Sequence, residues 1–366
     1  MLHLSSTVIL VLTLSTTLAG SAFAQRGDAT TTGTSRAFNP AISLNALMLG
    51  HYLDGPAAEI HPGHDHSHGG PLEEGISIQE LELQFSADVD AYARLNSTFA
   101  FHPGGEIDVE EAFADILTMP LGLGLRVGKF FMPFSRESAL HTHQLPFVQR
   151  SLVLSTIFAE GWTSPGAQLS WLPGLPFYAE FRAAVADATN QEWFGNAENS
   201  GIAGLGQVMT MFELGESTTF GLQGGASIGE NSFSDDTKLA TAGVDLRWKP
   251  TRRTIYRGLR LNAEYTWAER DGVPADEPEE LETLSGWTAF GQYQFARRWW
   301  VGGRYDWLDP RDHDTSNRWG ASVSFVPSGF QALRLECSST DDGQDISNSV
   351  YLQYNITIGS HPAHLY

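Results

Sequence analysis

The chain has 366 residues and a formal net charge of -21, which comes from 43 acidic and 22 basic residues. This acidic balance argues against a nucleic-acid partner, because phosphate binding needs clusters of basic side chains, and it favours the attraction of cations. The single cysteine, Cys337, excludes an internal disulfide. Backbone pairing and packing must therefore stabilise the fold.

The N-terminal residues 1–24 contain no Asp, Glu, Lys or Arg and end in Ala22-Phe23-Ala24. An apolar run followed by small residues at a cleavage position predicts a secretory signal peptide. Residues 25–37 are predicted to form a short periplasmic segment. No later stretch approaches the roughly 18 apolar residues that a membrane helix needs, so the sequence excludes helical membrane spans.

The remaining residues, 38–366, show a two-residue period that restarts many times. In GLRLNAEYTWAE, apolar side chains such as Leu259 and Leu261 alternate with polar ones such as Arg260 and Glu264. Each such segment indicates a strand with one apolar face and one polar face. The same split recurs in QELELQF (79–85), ATAGVDLRWK (240–249) and FQALRLEC (330–337).

Three further features favour a membrane barrel over a soluble sandwich, which would also alternate. The segments run about ten to thirteen residues, close to the length with which a tilted strand crosses a bilayer. Aromatic residues such as Trp299 and Trp300 gather near strand ends, where interfacial girdles lie. Short and long connections alternate nearly throughout, and the longest are predicted at 54–75 and 133–164.

We therefore predict an all-β fold, a transmembrane antiparallel β-barrel of about 16 strands within a range of about 14 to 18, with short periplasmic turns and long extracellular loops. Closure pairs every strand edge, as lipid requires, and a barrel of this size leaves a water-filled lumen. The predicted location is the outer membrane of a Gram-negative bacterium. The 54–75 loop then faces the exterior, and the 133–164 segment can fold inward and narrow the pore.

Several segments resemble a porin-like outer-membrane family whose members are often labelled zinc-regulated outer-membrane proteins, and which is distantly similar to the phosphate-selective porins. The resemblance implies a channel or receptor for metal ions. The terminal Tyr366 also resembles the signal that the outer-membrane assembly machinery reads. Many sixteen-stranded porins form trimers, so a homotrimer stays open. The segments are FNPAISLNALMLGHYLDG (38–55), ISIQELELQFSADVDAYARLNSTFAF (76–101), IDVEEAFADILTMPLGLGLRVGKFFMPFSRESALHTHQLPF (107–147), PGAQLSWLPGLPFYAE (165–180) and YNITIGSHPAHLY (354–366).

The first long loop is a candidate metal site because HPGHDHSHGG contains four histidines in ten residues. Imidazole suits Zn, Cu or Ni, and the glycines predict a flexible collector of low specificity. The alternative is a hydrated loop without a defined site. The candidate ligands are His61, His64, Asp65, His66 and His68.

The second long segment contains SRESALHTHQ, with Arg136 and Glu137 predicted at a constriction. His141 and His143 match an H-x-H pattern of the family, and we expect them to ligate metal weakly together with Glu137. The alternative is that these histidines cap a helix on a surface loop. No serine or carboxylate at a recognisable spacing accompanies His141, so the sequence does not favour an enzyme.

The polar faces of the predicted strands should line the pore with charges of both signs. Many will pair across neighbouring strands at modest energetic value, and a slight acidic excess then predicts cation preference. A basic ladder of the kind that a phosphate porin needs is not visible. The predicted lining residues are Glu80, Glu82, Arg94, Glu111, Asp115, Arg126, Asp245, Arg247, Arg260, Glu264, Arg334 and Glu336.

The function that the sequence favours is passive uptake of small solutes, above all divalent cations such as zinc. The metal would be a bound or transported ion and no cofactor is required. Metal ions, outer-membrane lipid and the assembly machinery are the expected partners. Two alternatives stay open: a metal-binding outer-membrane protein that does not conduct, and a general or anion-selective porin.

Overall fold

The computed structural model describes residues 40–56, 74–102, 105–159, 161–188, 193–195, 201–250, 256–274, 281–311 and 313–359. The predicted signal peptide 1–24 and periplasmic segment 25–37 lie outside these ranges. So does the histidine tract of the first loop, with His61, His64, Asp65, His66 and His68.

Sixteen β-strands make up most of the described residues, together with one short α-helix, α1 at Leu152–Phe158, and a 3-10 helix at Thr142–Gln144. The strands are β1 Ala41–Asp54, β2 Gly75–Asp88, β3 Ala93–Phe101, β4 Ile107–Ile116, β5 Leu123–Phe131, β6 Thr163–Trp171, β7 Tyr178–Asp187, β8 Ile202–Glu213, β9 Thr218–Glu230, β10 Asp236–Trp248, β11 Gly258–Arg270, β12 Thr283–Ala296, β13 Trp299–Pro310, β14 Ser316–Ser328, β15 Gln331–Asp341 and β16 Ile346–Gly359.

Each strand pairs with its neighbours in sequence, and β1 pairs antiparallel with β16, which closes the sheet into a barrel. The predicted sixteen-stranded antiparallel barrel is therefore confirmed. The two-residue period of the sequence made this prediction possible, because it determines which face of a strand turns inward. The connections range from the two residues 297–298 between β12 and β13 to the long segment between β5 and β6.

The outer face of the barrel is apolar and exposed, whereas the inner face is polar and buried. Leu222, Val244 and Leu261 are 43%, 41% and 44% exposed, while Asp245 and Glu264 are 6% and 5% exposed. This inverts the arrangement of a soluble protein and matches lipid outside with a polar interior. The chain is thus a multi-pass β-barrel of the outer membrane. None of the helices among the described residues has the length and hydropathy to span a bilayer.

The connection between β5 and β6, described at residues 132–159 and 161–162, enters the barrel and is called the inner loop below. Its backbone is bound to the opposite wall: Val148 N–H donates to Glu336 over 2.8 Å and Leu152 N–H donates to Asp306 over 3.4 Å. In return, Arg334 of β15 donates to the carbonyl of Leu145 over 3.1 Å. The inner loop therefore crosses the lumen.

An apolar cluster fills part of the barrel interior behind the inner loop. Phe134, Ile157 and Trp162 are fully buried and pack against small or aliphatic wall residues such as Ala268 and Leu284. Helix α1 buries its apolar side chains here, because the inner wall offers aliphatic positions at this level. The number of strands predicts a water-filled lumen. In the structure, packed apolar side chains occupy part of that space.

Candidate functional site

The outward apolar period of β2 slips by one residue in the segment ISIQELEL. Ile76 and Ile78 face outward, but the next outward residue is Leu81, three positions later. In the pairing with β1, Glu80 opposes Leu47 and Ile78 opposes Met48. Leu47 and Met48 are consecutive, so Gln79 is an extra residue in β2. This is a β-bulge, a feature that re-aims side chains locally.

A second bulge occurs in β4, in the segment IDVEEAFA. Glu111 opposes Thr98 of β3 and Val109 opposes Phe99, which leaves Glu110 as the extra residue. Both Glu110 and Glu111 consequently turn into the barrel, where the side chain of Glu111 accepts a hydrogen bond of 3.2 Å from the Phe131 N–H. Two bulges on neighbouring parts of the wall thus concentrate carboxylates at one place.

The two histidines of the inner loop meet these carboxylates. His141 Nδ1 lies 3.0 Å from Glu110 Oε2 and 3.3 Å from Glu82 Oε1, and His141 Nε2 lies 3.1 Å from Glu111 Oε2. His143 Nδ1 lies 2.9 Å from Glu82 Oε2. The two imidazole rings stack with centroids 5.5 Å apart. The 3-10 helix that follows His141 sets this spacing, since it turns the chain tightly between the two histidines.

We call these six residues the Glu-His cluster: Glu80, Glu82, Glu110, Glu111, His141 and His143. The cluster is buried inside the barrel; His141 and His143 are 8% and 5% exposed, and Glu82 is 4% exposed. Burial disfavours the charged form of His141, but the carboxylates of Glu110 and Glu82 outweigh it and raise its pKa well above the usual value. A protonated His141 leaves the cluster with an excess of negative charge.

The cluster contains two groups of ligand atoms that could hold a metal ion, and Glu82 belongs to both. One group is Glu80, Glu82 and His143, and the other is Glu82, Glu110 and His141; within each group the ligand atoms lie within 4.8 Å of one another. Imidazole nitrogen and carboxylate oxygen are ligands of Zn²⁺, and three protein ligands leave a fourth position open.

The structure separates Glu137 from the histidines with which the sequence grouped it. Glu137 Oε1 accepts a hydrogen bond of 2.7 Å from the Ser151 N–H, and burial raises the pKa of Glu137. Glu137 belongs to neither of the two groups of candidate ligand atoms among the described residues. The expectation that Glu137 ligates metal beside His141 and His143 is therefore wrong. The inner loop turns between Glu137 and His141, so these two residues contact different parts of the structure although they are close in sequence. The neighbouring Arg136 contacts Asp245 on the other side of the barrel over 3.2 Å.

The other residues predicted on the polar faces are mostly paired. Arg94 contacts Asp88 over 2.5 Å and Arg126 contacts Asp115 over 2.8 Å. The remaining contacts are those of Arg247 and Arg260 with Asp245, of Glu264 with Gln223, of Arg334 with Gln353 and the inner loop, and of Glu336 with the inner loop.

Sequence reasoning missed Glu110, because strict alternation from Glu111 places it outward. The phase slip was nevertheless visible: the outward residues Val109 and Ala112 are three positions apart, as are Ile78 and Leu81 in β2. Two slips in strands on either side of β3, each next to or at a glutamate, are a signal for inward-turned carboxylates.

No protein-family model matches the chain. An uncharacterised protein of Aquifex aeolicus (strain VF5) is 28% identical over 351 residues, which cover 83% of this chain and 72% of that protein. This similarity extends over most of the barrel.

Solved structures of outer-membrane proteins share the fold at low sequence identity. The outer-membrane channel DcaP of Acinetobacter baumannii is 12% identical with a TM-score of 0.57, over 87% of this chain and 97% of that one. An anion-selective porin from Comamonas acidovorans is 10% identical with a TM-score of 0.58, over 87% and 100%. The trimer form of OmpT from Vibrio cholerae is 10% identical with a TM-score of 0.55, over 87% and 99%. At these identities the likeness establishes the porin-like barrel fold.

Proposed function

We propose that the protein is an outer-membrane channel of a Gram-negative bacterium for passive uptake of small solutes, and that divalent cations such as zinc bind at the Glu-His cluster on their way through. The observation that carries this proposal is the placement of four carboxylates and two imidazoles at one buried point of contact between the inner loop and the wall. The porin-like fold supports the channel.

The chemistry of the cluster suits an exchangeable ion. A conducting site must bind strongly enough to select and weakly enough to release. Each ligand group offers three protein atoms, so water completes the coordination and can leave first. Protonated His141 competes with the metal for the same carboxylates, which weakens binding further. A transported ion can therefore leave the cluster again.

The histidine tract in residues 61–70 has a complementary role in this proposal. Its histidines and Asp65 would raise the local metal concentration at the outer mouth. The imidazole groups of this tract suit Zn, Cu or Ni. Deletion of residues 61–70 tests this role separately from that of the Glu-His cluster.

Planar-bilayer recording of the purified protein tests the function. Conductance and reversal potential are measured in asymmetric potassium chloride, before and after zinc is added. Wild-type protein should give cation-selective steps that zinc blocks, and the His141→Ala/His143→Ala variant should conduct without zinc block. His102→Ala is the matched control, because His102 also contacts a carboxylate, Asp108 at 3.3 Å, outside the cluster.

The same recordings separate the alternatives. Absence of steps from folded wild-type protein would favour a metal-binding protein that does not conduct. Steps that are anion-selective or insensitive to zinc would favour a general or anion-selective porin, and the metal proposal would then fail.

We also propose a homotrimer. The trimer named for the Vibrio cholerae neighbour supports this state only by fold similarity. Light scattering of the protein in detergent measures the mass of the complex, and a monomeric mass would contradict the proposal.

A further inference from the structure

The carboxylate of Glu82 presents each of its two oxygens to a different histidine. Oε1 lies 3.3 Å from His141 Nδ1, whereas Oε2 lies 2.9 Å from His143 Nδ1. The two imidazole rings are nearly parallel, with an angle of 28° between their planes. The two histidines therefore approach the same carboxylate side by side, each at its own oxygen.

A second carboxylate completes the ligand group on each side of Glu82. Glu80 belongs to the group that contains His143, and Glu110 belongs to the group that contains His141. The two groups have no ligand in common other than Glu82. A carboxylate that binds one ion through each oxygen can join two metal ions, and the ions of such two-metal sites lie about 3.5–4 Å apart.

The second ring nitrogen of His141 is held by a carboxylate outside both groups. His141 Nε2 lies 3.1 Å from Glu111 Oε2, and Glu111 Oε1 accepts a hydrogen bond of 3.2 Å from the Phe131 N–H. Because a carboxylate only accepts hydrogen bonds, Glu111 favours a proton on Nε2. His141 Nδ1 is then the nitrogen that faces Glu110 and Glu82. A carboxylate that orients a histidine in this way commonly accompanies a bound metal ion.

The number of carboxylates in the Glu-His cluster fits two divalent ions. The four carboxylates are largely buried, and in their ionised form they carry four negative charges, which two divalent ions beside neutral imidazoles would balance. A single divalent ion would leave two negative charges in a buried place, which is costly. Arg126 acts electrostatically on Glu111 but is already paired with Asp115 over 2.8 Å.

We propose that the Glu-His cluster binds two divalent cations at the same time, with Glu82 as the bridging ligand between them. Glu80 and His143 hold one ion, and Glu110 and His141 hold the other. This inference rests on the proposed binding of cations at the cluster and adds that two ions share it. Two adjacent ions repel each other, so the entry of one favours the release of the other, as at neighbouring sites in ion channels.

Metal analysis after equilibrium dialysis against Zn²⁺ counts the ions. The detergent-solubilised protein lacks residues 61–70 in this experiment, so that the outer histidine tract does not contribute. Glu80→Gln and Glu110→Gln should each lower the count by one ion per chain, and Glu82→Gln should lower it by two. Asp115→Asn is the matched control and should leave the count unchanged.

Electron paramagnetic resonance with Mn²⁺ tests whether the two ions are neighbours. Carboxylate ligands also suit Mn²⁺, and two Mn²⁺ ions that share a carboxylate are magnetically coupled, which changes the spectrum from that of isolated ions. The same deletion protein should give the coupled spectrum. With Glu80→Gln added, only the spectrum of isolated ions should remain.

The outcomes separate this inference from the proposed function. A count that falls by only one ion in Glu82→Gln would overturn the two-ion proposal and leave a single cation site in the cluster. A count that no substitution in the cluster changes would contradict both. If Glu82→Gln does not fold, as judged by heat-modifiable mobility in gels, the Mn²⁺ spectra decide, since a spectrum of isolated ions before Glu80→Gln is introduced would overturn the proposal.

Discussion

The Nδ1 atom of His143 lies 2.9 Å from the Oε2 atom of Glu82. The other oxygen of the same carboxylate lies 3.3 Å from His141 Nδ1, so a single side chain of β2 holds both histidines of the inner loop. Because Glu82 belongs to both candidate ligand groups, it connects the anchoring of the loop with the proposed binding of metal.

The shared position of Glu82 predicts a ranking of variants. Glu82→Gln should lower zinc affinity by more than about tenfold, in the range that loss of a metal-site contact commonly costs, and more than Glu80→Gln or Glu110→Gln, each of which affects one group. Competition with a chromophoric chelator measures the affinities. Asp115→Asn, which removes a carboxylate paired with Arg126, should not change them; equal effects of all four substitutions would contradict the assignment.

The raised pKa of His141 predicts opposite pH dependences for zinc binding and for the anchoring of the loop. The carboxylates of Glu110 and Glu82 overcome the effect of burial and raise this pKa well above 6.5. The stabilisation from protonated His141 is therefore fully present below about pH 6.5, the value in the unfolded chain, and is lost as pH rises through the raised pKa. Zinc must displace the proton, so its affinity should rise over the same interval.

Two measurements check these signs. The difference in thermal stability between wild type and His141→Ala should shrink as pH rises from about 6.5 through the raised pKa of His141, while zinc affinity of the wild type increases. A stability difference that grows with pH, or zinc binding that is independent of pH, would show that His141 is not protonated in the cluster.

Close approach of the inner loop to β9 makes Gly225 sensitive to substitution. A Cβ at this position would lie 2.1 Å from the carbonyl oxygen of Phe134. Gly225→Ala should therefore displace the inner loop, cost about 1–3 kcal/mol as overpacking does, and change single-channel conductance. At the neighbouring Gly224 a Cβ would have no atom nearer than 3.7 Å, so Gly224→Ala is the control. Identical conductance of the two variants would refute this role of the contact.

Arg318 fixes the far end of the inner loop. It donates to the carbonyl of Arg150, to Gln149 Oε1 over 3.0 Å and to Asp306 Oδ2 over 2.7 Å. Arg318→Gln removes the main partner of a buried carboxylate, for which a cost of about 3–5 kcal/mol is typical. We expect lower thermal stability and faster proteolysis within the inner loop.

The exposed pair of Arg94 and Asp88 provides the comparison. Arg94→Gln should cost no more than about 1 kcal/mol, because exposed ion pairs contribute little. If both variants lose the same stability, or if the inner loop stays resistant to protease in Arg318→Gln, then Arg318 does not hold the loop.

Much of the barrel could be predicted because strand pairing leaves a local trace in sequence. The alternation of Leu259 and Leu261 with Arg260 fixes which side chains face lipid, and turn positions follow from where the period restarts. The bulge at Glu110 also leaves a trace, although strict alternation hides it. These features depend on neighbours along the chain.

The arrangement of the lumen could not be predicted in the same way, since it depends on where the inner loop lies. Arg136, Glu137 and His141 are close in sequence, yet Arg136 reaches β10, Glu137 meets Ser151 and His141 meets the bulged strands. The predicted slight acidic excess gave no sign of this separation. In the structure, carboxylates gather on one wall and arginines on the opposite wall.

The coordination of zinc in a variant that lacks residues 61–70 tests the central claim most directly, because the outer histidine tract is then absent. X-ray absorption at the zinc edge should show a shell of mixed imidazole nitrogen and carboxylate oxygen at about 2.0–2.2 Å, and Glu82→Gln in the same background should abolish it. A deletion variant that binds no zinc, or a spectrum unchanged by Glu82→Gln, would contradict a metal site at the Glu-His cluster.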